Sequence, residues 1–223
     1  MAKDVGATAV DTEREAPRSK RGERTRATLV AAARTVFERD GFLDARITDI
    51  TKEAGVASGT FYTYFESKEE AFKAVVEEVS EDMLHPRLRE RLGDEDPLAL
   101  IDAANREYLL AYKRNARLMA LFEQVAQIDD EFRELRRRRG AAFVRRNAKM
   151  IRRLQESGRA DPDLDPLIAA HALSGMVGRI AYSVYNLGER IPFERLVTTL
   201  NQLWVNALKL DQTAPRPPGR IGR

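Results

Sequence analysis

The chain has 223 residues, 43% of them hydrophobic and none of them cysteine, which is apolar material enough for a packed interior and excludes a disulfide framework or a thiolate-bound metal. Its 38 basic residues nearly balance 35 acidic ones, leaving a formal charge of +3, so the chain is no polycation and any nucleic-acid contact must come from local patches. No run approaches the ~18 apolar residues of a membrane span and the first twenty residues lack the apolar stretch of a signal peptide, so the expected location is the cytoplasm, with no membrane partner.

Residues 1–23 are polar and aperiodic, contain Pro17 and Gly22, and read as a disordered arm. From Arg14 to Arg26 there are six basic and two acidic residues. Two readings stand for this arm: it follows the DNA backbone or enters the adjacent minor groove, as homeodomain arms do, or it is a solvated tail. A first helix is expected over 25–40, with Leu29, Ala33, Val36 and Phe37 on one stripe and Gly41 as its stop.

Residues 46–68, RITDITKEAGVASGTFYTYFESK, read as two short helices, 47–54 and 58–65, joined by Gly55-Val56-Ala57. A three-residue turn containing glycine is the signature of a helix-turn-helix. Ile47, Ile50 and Ala54 share one face, Val56 plugs the turn, and Phe61 and Phe65 face the same core. Gly59, Thr60 and Thr63 then point outward, with Tyr62 and Tyr64 on the flanks. Such a small, hydroxylated face suits a major groove, where threonine methyls meet thymine methyls and glycine lets the backbone approach. Ser58 is the expected N-cap, at a helix end that attracts phosphate. On spacing alone, a structural helical hairpin competes with this reading.

The stretch from Phe42 to Lys68, with ITDITKEAGVASGTFYTYFESKEEAF around it, resembles the DNA-binding signature of the TetR family of bacterial transcriptional regulators. AGV, SGTFYTYF and SKEEAF fall in register within residues 23–76; beyond them only the helical layout and the length are similar. The resemblance implies an all-α homodimer of about nine helices. Its N-terminal three-helix helix-turn-helix domain would span 24–67 and its C-terminal ligand-binding and dimerisation domain 68–210. Ser58, Gly59, Thr60 and Tyr62 would face base edges or nearby phosphates, and Thr48, Tyr64 and Lys68 would hold the backbone. Arg46 stands where the family usually places a threonine N-cap. Arginine opposes the helix macrodipole and offers no capping oxygen, so a DNA phosphate is its expected partner, with Asp49 offsetting the missing cap. Free solvation of Arg46 is the competing expectation.

Lys68 opens a long helix with Phe72, Val75, Val76 and Val79 at helical spacing. After a break at 93–97, Asp96-Pro97 starts a helix to about 115, with Leu98, Ile101, Tyr108, Leu109 and Tyr112 inward. Residues 116–127 offer Leu118, Met119, Phe122 and Val125. Asp129-Asp130 caps a helix to about 157, stopped by Gly158, with Phe132, Leu135, Phe143, Met150, Ile151 and Leu154 inward. It also carries Arg133, Arg136 to Arg139, Arg145, Arg146, Lys149, Arg152 and Arg153. This basic element holds an anionic ligand such as a coenzyme A thioester, touches DNA, or, as favoured, is a solvated face paired with Glu77, Glu78, Glu81 and Asp82. Two apolar helices follow, 166–187 and 193–210, and 211–223 reads as a disordered tail. In the family these two helices would dimerise as a four-helix bundle through Val177, Ile180, Val184, Leu196, Leu200, Leu203 and Trp204, with Gly175 and Gly178 allowing close approach. An ordinary monomeric core explains the same pattern.

The ligand candidates inside the C-terminal bundle are Tyr108, Tyr112, Met119, Phe122, Phe143, Asn147, Met150, His171 and Met176, with Asn105 a further polar one. Each also fits plain core. The expected function is a dimeric, sequence-specific DNA-binding repressor, released from a palindromic operator by a small, largely apolar effector such as a fatty acyl group or acyl-coenzyme A. Two heads about 34 Å apart would read the palindrome. The alternative is a non-sensing activator or architectural protein with a filled core. An enzyme is not expected: with His85 and His171 as the only histidines, no cysteine and no phosphate loop, nothing assembles a catalytic or metal centre, and no cofactor is implied.

Overall fold

The computed structural model describes residues 19–84 and 96–210, in which every regular element is a helix. Most of the basic arm, the segment 85–95 with His85, and the tail 211–223 lie outside the described residues.

Helix α1 spans Lys20–Asp40 and starts earlier than the expected 25, because the Ser19 hydroxyl accepts the Gly22 N–H at 3.2 Å. Lys20, Arg21, Gly22 and Glu23, expected in the arm, are therefore helical. Gly41, at φ 82°, ends it. Helices α2, Ile47–Glu53, and α3, Ser58–Tyr64, each fall one residue short of expectation. Helix α4, Lys68–Leu84, starts on a reciprocal cap in which Ser67 accepts the Glu70 N–H at 3.2 Å and Glu70 accepts the Glu66 N–H at 2.6 Å.

In the body, Asp96, Asp129 and Asp165 cap α5 (Pro97–Arg114), α7 (Asp130–Glu156) and α8 (Pro166–Tyr185), each through its own carboxylate. Helix α6 is Ala116–Ile128, and α9, Phe193–Leu208, closes on Lys209 in the left-handed region. Helices α1 to α3 pack with α4 as a head, while α7 packs on α6 and α8, and α5 on α9.

One core cluster runs unbroken from head to body. Its spine is a chain of rings: Phe37 to Phe72 at 4.9 Å, Phe72 to Phe132 at 5.4 Å and Phe132 to Phe122 at 6.4 Å, with Phe42 5.0 Å from Phe72. Polar ties run alongside: the Arg34 guanidinium donates to the Asn115 side-chain oxygen at 2.8 Å, and Lys73 pairs with Glu131 at 2.7 Å. A second cluster, around Ile151, Leu173, Trp204 and Leu208, fills the far end.

Two expectations are corrected. Three arginines of α7 find partners on their own helix or on α6 instead of the expected Glu77 and Glu78: Arg137 pairs with Glu134 and Arg136 with Glu123, both at 2.7 Å, and Arg133 with Asp130, while the side chains of Glu81 and Asp82 lie outside the described residues. Residues three apart on one helix are neighbours already, so Arg133 and Arg137 are satisfied locally. The second concerns α8, which is long and apolar enough, by length and composition, to cross a membrane. Here it is a body helix, with Ala170, Leu173, Val177 and Ala181 turned inward.

Candidate DNA-reading face and ligand cavity

The turn between α2 and α3 is built by backbone geometry. Gly55, at φ 67°, lets its N–H reach the Lys52 carbonyl at 3.2 Å and the Val56 N–H reach that of Thr51 at 3.0 Å. This double closure needs a left-handed residue, which is why glycine stands there. Val56 then tucks against the core, and Ile50, Phe61 and Phe65 are fully buried.

With Phe61 and Phe65 inward, Ser58, Gly59, Tyr62 and Thr63 are exposed and Thr60 half-exposed, as the spacing requires. Tyr62 is 53% exposed, its ring edge-on to Phe61. Nothing lies within 4 Å of where a Cβ on Gly59 would stand, so the face is open to solvent at its centre. Ser58 is not the cap. Ala57 occupies that position, with no side-chain bond, so the Ser58 hydroxyl stays on the outer face and the first amides of α3 lack a side-chain acceptor. Arg46 caps α2 in extended conformation without a side-chain bond, exposed beside Thr48.

Lys68 is placed differently from the rest. Its ammonium donates to the carbonyls of Phe42 and Leu43, each at 2.9 Å, and of Ala45 at 3.4 Å, and sits 5.0 Å over the Phe42 ring. All three protons are engaged in holding the α1–α2 loop. Tyr64 is half-buried against the core.

The body holds a cavity of about 710 Å³. Tyr108, Tyr112, Met119, Phe122, Phe143, Asn147, Met150 and His171 line it, as does Asn105. Met176 does not; it packs, half-buried, between the two clusters. Burial pushes the Tyr108 phenol up to about 12 and raises Tyr112 as well. The Tyr112 hydroxyl is within 3.1 Å of the Asn186 side-chain oxygen, and Asn147 donates to Ser174 at 2.9 Å. Asn105 is held by Asn201 at 2.8 Å, which in turn donates to Asp102 at 2.7 Å.

Sequence reasoning missed Arg139 as a lining residue. It is 3.6 Å from the sulfurs of Met119 and Met83 and 5.3 Å over the Phe122 ring, and burial lowers its pKa, opposed by Tyr108 and Glu123. The signal was its register: Phe132, Leu135, Arg139 and Phe143 follow at three- and four-residue steps. Among the expected dimer contacts, Val177, Leu196, Leu200 and Trp204 are buried inside the protomer. The outward faces of α8 and α9 instead carry Leu167 and Ile168, 53% and 69% exposed, and Leu203. Gly175, exposed, has nothing within 4 Å of its Cβ position. Among the described residues no cluster of His, Asp and Glu suits a metal ion.

An open helix-turn-helix face, joined by a ring chain to a helical body with a cavity, defines a DNA-binding transcriptional regulator. Residues 29–75 match bacterial regulatory proteins of the tetR family. Over that stretch the chain is similar to the DNA-binding domain of the TetR family. It is 27% identical over 195 residues to the uncharacterised HTH-type transcriptional regulator YdgC of Bacillus subtilis, covering 82% of this chain and 92% of that protein. A solved transcriptional regulator from Rhodococcus aligns with a TM-score of 0.68 and 25% identity over 82% of this chain and 96% of that one. The fatty acid degradation regulator FadR from Bacillus halodurans shares the fold, with a TM-score of 0.69 at 19% identity, covering 84% and 97% of the two chains.

Proposed function

We propose that the protein is a dimeric repressor, released from a palindromic operator by a small, largely apolar ligand bound in the body. The observation that carries this reading is the cavity of about 710 Å³, walled by tyrosines, phenylalanines and methionines, which lies in the size range of small-molecule sites. A non-sensing regulator with a filled core would lack it.

The heads act through the outward face of α3. Ser58, Gly59, Thr60 and Tyr62 meet base edges or phosphates, while Arg46, Thr48 and Tyr64 hold the backbone. One such head buries too little to select a site, so two must be linked. The exposed apolar surface of α8 and α9 around Ile168 and Leu203 supplies a self-complementary contact. Met83, on α4, lines the cavity at one end of the helix whose other end carries Lys68 and its grip on the head loop. A ligand that displaces Met83 therefore moves the head, and by linkage DNA binding weakens ligand binding equally. A fatty acid regulator with the same fold supports an acyl chain as the ligand class.

Fragments of the protein's own genome, incubated with it at physiological salt and sequenced after capture, test the reading. Recovery of a few sites sharing an inverted repeat is expected. Fragments without a common motif, lost uniformly as salt rises, would mean backbone binding alone.

A further inference from the structure

Of the four arginines from Arg136 to Arg139, only Arg139 is turned away from solvent, and it lies on the cavity wall. Its terminal nitrogens meet the sulfurs of Met119 and Met83 at 3.6 Å, which are weak acceptors, and its Nε is buried with no hydrogen-bond partner. It has no carboxylate partner among the described residues, because Glu123, whose charge reaches it, is paired at 2.7 Å with Arg136. Arginine cannot shed its proton in such a place, and a desolvated, unpaired guanidinium is costly. The Phe122 ring under it returns part of that cost only.

The cavity as a whole is poor in negative charge: its walls carry Arg136, Arg139, Arg146 and Arg179 against Glu123 alone. Among the described residues the other buried side-chain polar atom left without a partner is Nε1 of Trp204, which also lines the cavity, and it too is a donor. A ligand that completes this site must bring acceptors, and at Arg139 it must bring negative charge.

We propose that the cavity takes an amphipathic carboxylate, its apolar body against the aromatic and methionine wall and its carboxylate bonded to Arg139. This rests on the ligand-responsive reading above and specifies the charge of the ligand. A carboxylate offers two oxygens to the guanidinium fork and gives the orphaned Nε its partner. A neutral alcohol of the same length offers one acceptor oxygen and no charge to the guanidinium, and a coenzyme A thioester presents only a neutral carbonyl there.

The test compares matched acids and alcohols, octanoate with octanol, laurate with dodecanol and palmitate with hexadecanol, each titrated into the full chain while the fluorescence of Trp204, the sole tryptophan, is followed. The same titrations use Arg139→Met and Arg139→Lys, with circular dichroism as the check on folding. At the best-fitting length the acid binds the wild-type protein about tenfold or more tighter than the alcohol. Arg139→Met loses that preference and Arg139→Lys keeps part of it. Equal binding of acid and alcohol by the wild-type protein, no binding of any acid, or a preference that survives in Arg139→Met overturns the proposal. The wild-type comparison decides the matter even if a variant fails to fold. Operator release by an alcohol as effective as its acid would keep the ligand-responsive reading and overturn the carboxylate site. Tight, Arg139-dependent binding of an acid that leaves the operator bound would keep the site and overturn that reading.

Discussion

The ring of Phe132, at the start of α7, lies 5.4 Å from that of Phe72 on α4. This contact joins the wall of the body cavity to the base of the head, since Phe132 also meets Phe122, a cavity residue. Both rings are buried, at 2% and 0% exposure, so neither can move without its neighbour.

Phe132→Leu keeps most of the apolar volume and removes the ring contacts, so it should cost about 1–1.5 kcal/mol of stability. It should also weaken transmission more than binding. Effector affinity measured without DNA is expected to stay near wild type while more effector is needed to release the operator. Unchanged release at unchanged affinity would remove Phe132 from the coupling.

Lys68→Met removes the donor that holds three carbonyls of the α1–α2 loop. Leaving those acceptors to water should lower the urea midpoint by an amount worth about 1–3 kcal/mol. If the lysine instead grips a phosphate, stability should hold and the slope of affinity against salt should fall by about one. The geometry favours the first outcome, and denaturation alongside a salt series separates the two.

Gly59→Ala tests the reading face without disturbing the fold. A Cβ there meets nothing within 4 Å, and alanine is the better helix former by about 0.5–1 kcal/mol. Thermal stability should rise slightly while operator affinity falls by about tenfold, because the methyl stands where the backbone must approach the base edges. Operator affinity that matches wild type would move the DNA-contacting face elsewhere.

Ile168→Glu and Leu203→Glu place charges on the exposed faces of α8 and α9. Sedimentation should show the protein shifting from dimer to monomer, with operator binding lost and helix content retained. Dimers that survive both changes would assign the contact to another face.

Alkaline titration should find Tyr108 and Tyr112 resistant to ionisation in the folded protein. Burial raises the Tyr108 pKa to about 12, above the ordinary value near 10, and raises Tyr112 too. A neutral phenol held in the folded state stabilises it fully below pH ~10, and that contribution is lost as pH climbs from about 10 through about 12. The phenolate absorbance of these two is therefore expected late, accompanying loss of the helical signal. A single stage complete near pH ~10 with helices intact would show that these phenols are solvated.

The head was legible in the sequence because its determinants are local. Turn chemistry at Gly55 and the four-residue spacing of Phe61 and Phe65 fix its helices and faces wherever the rest of the chain lies, just as three aspartate caps fix helix starts in the body. The same periodicity told which residues of the body were apolar, and most of those named for a ligand do surround the cavity. It could not distinguish the inside of one protomer from the contact between two. Val177, Leu196, Leu200 and Trp204 went into the protomer core, leaving Ile168 and Leu203 outside. Periodicity gives a face, and only packing decides what covers it. Nor could it assign Lys68, whose acceptors lie 23 to 26 residues away, or single out Arg139 from its run of arginines. Both cations look like surface charge in the chain; the tertiary structure gave one three carbonyls and left the other facing a cavity, because desolvation depends on neighbours distant in sequence.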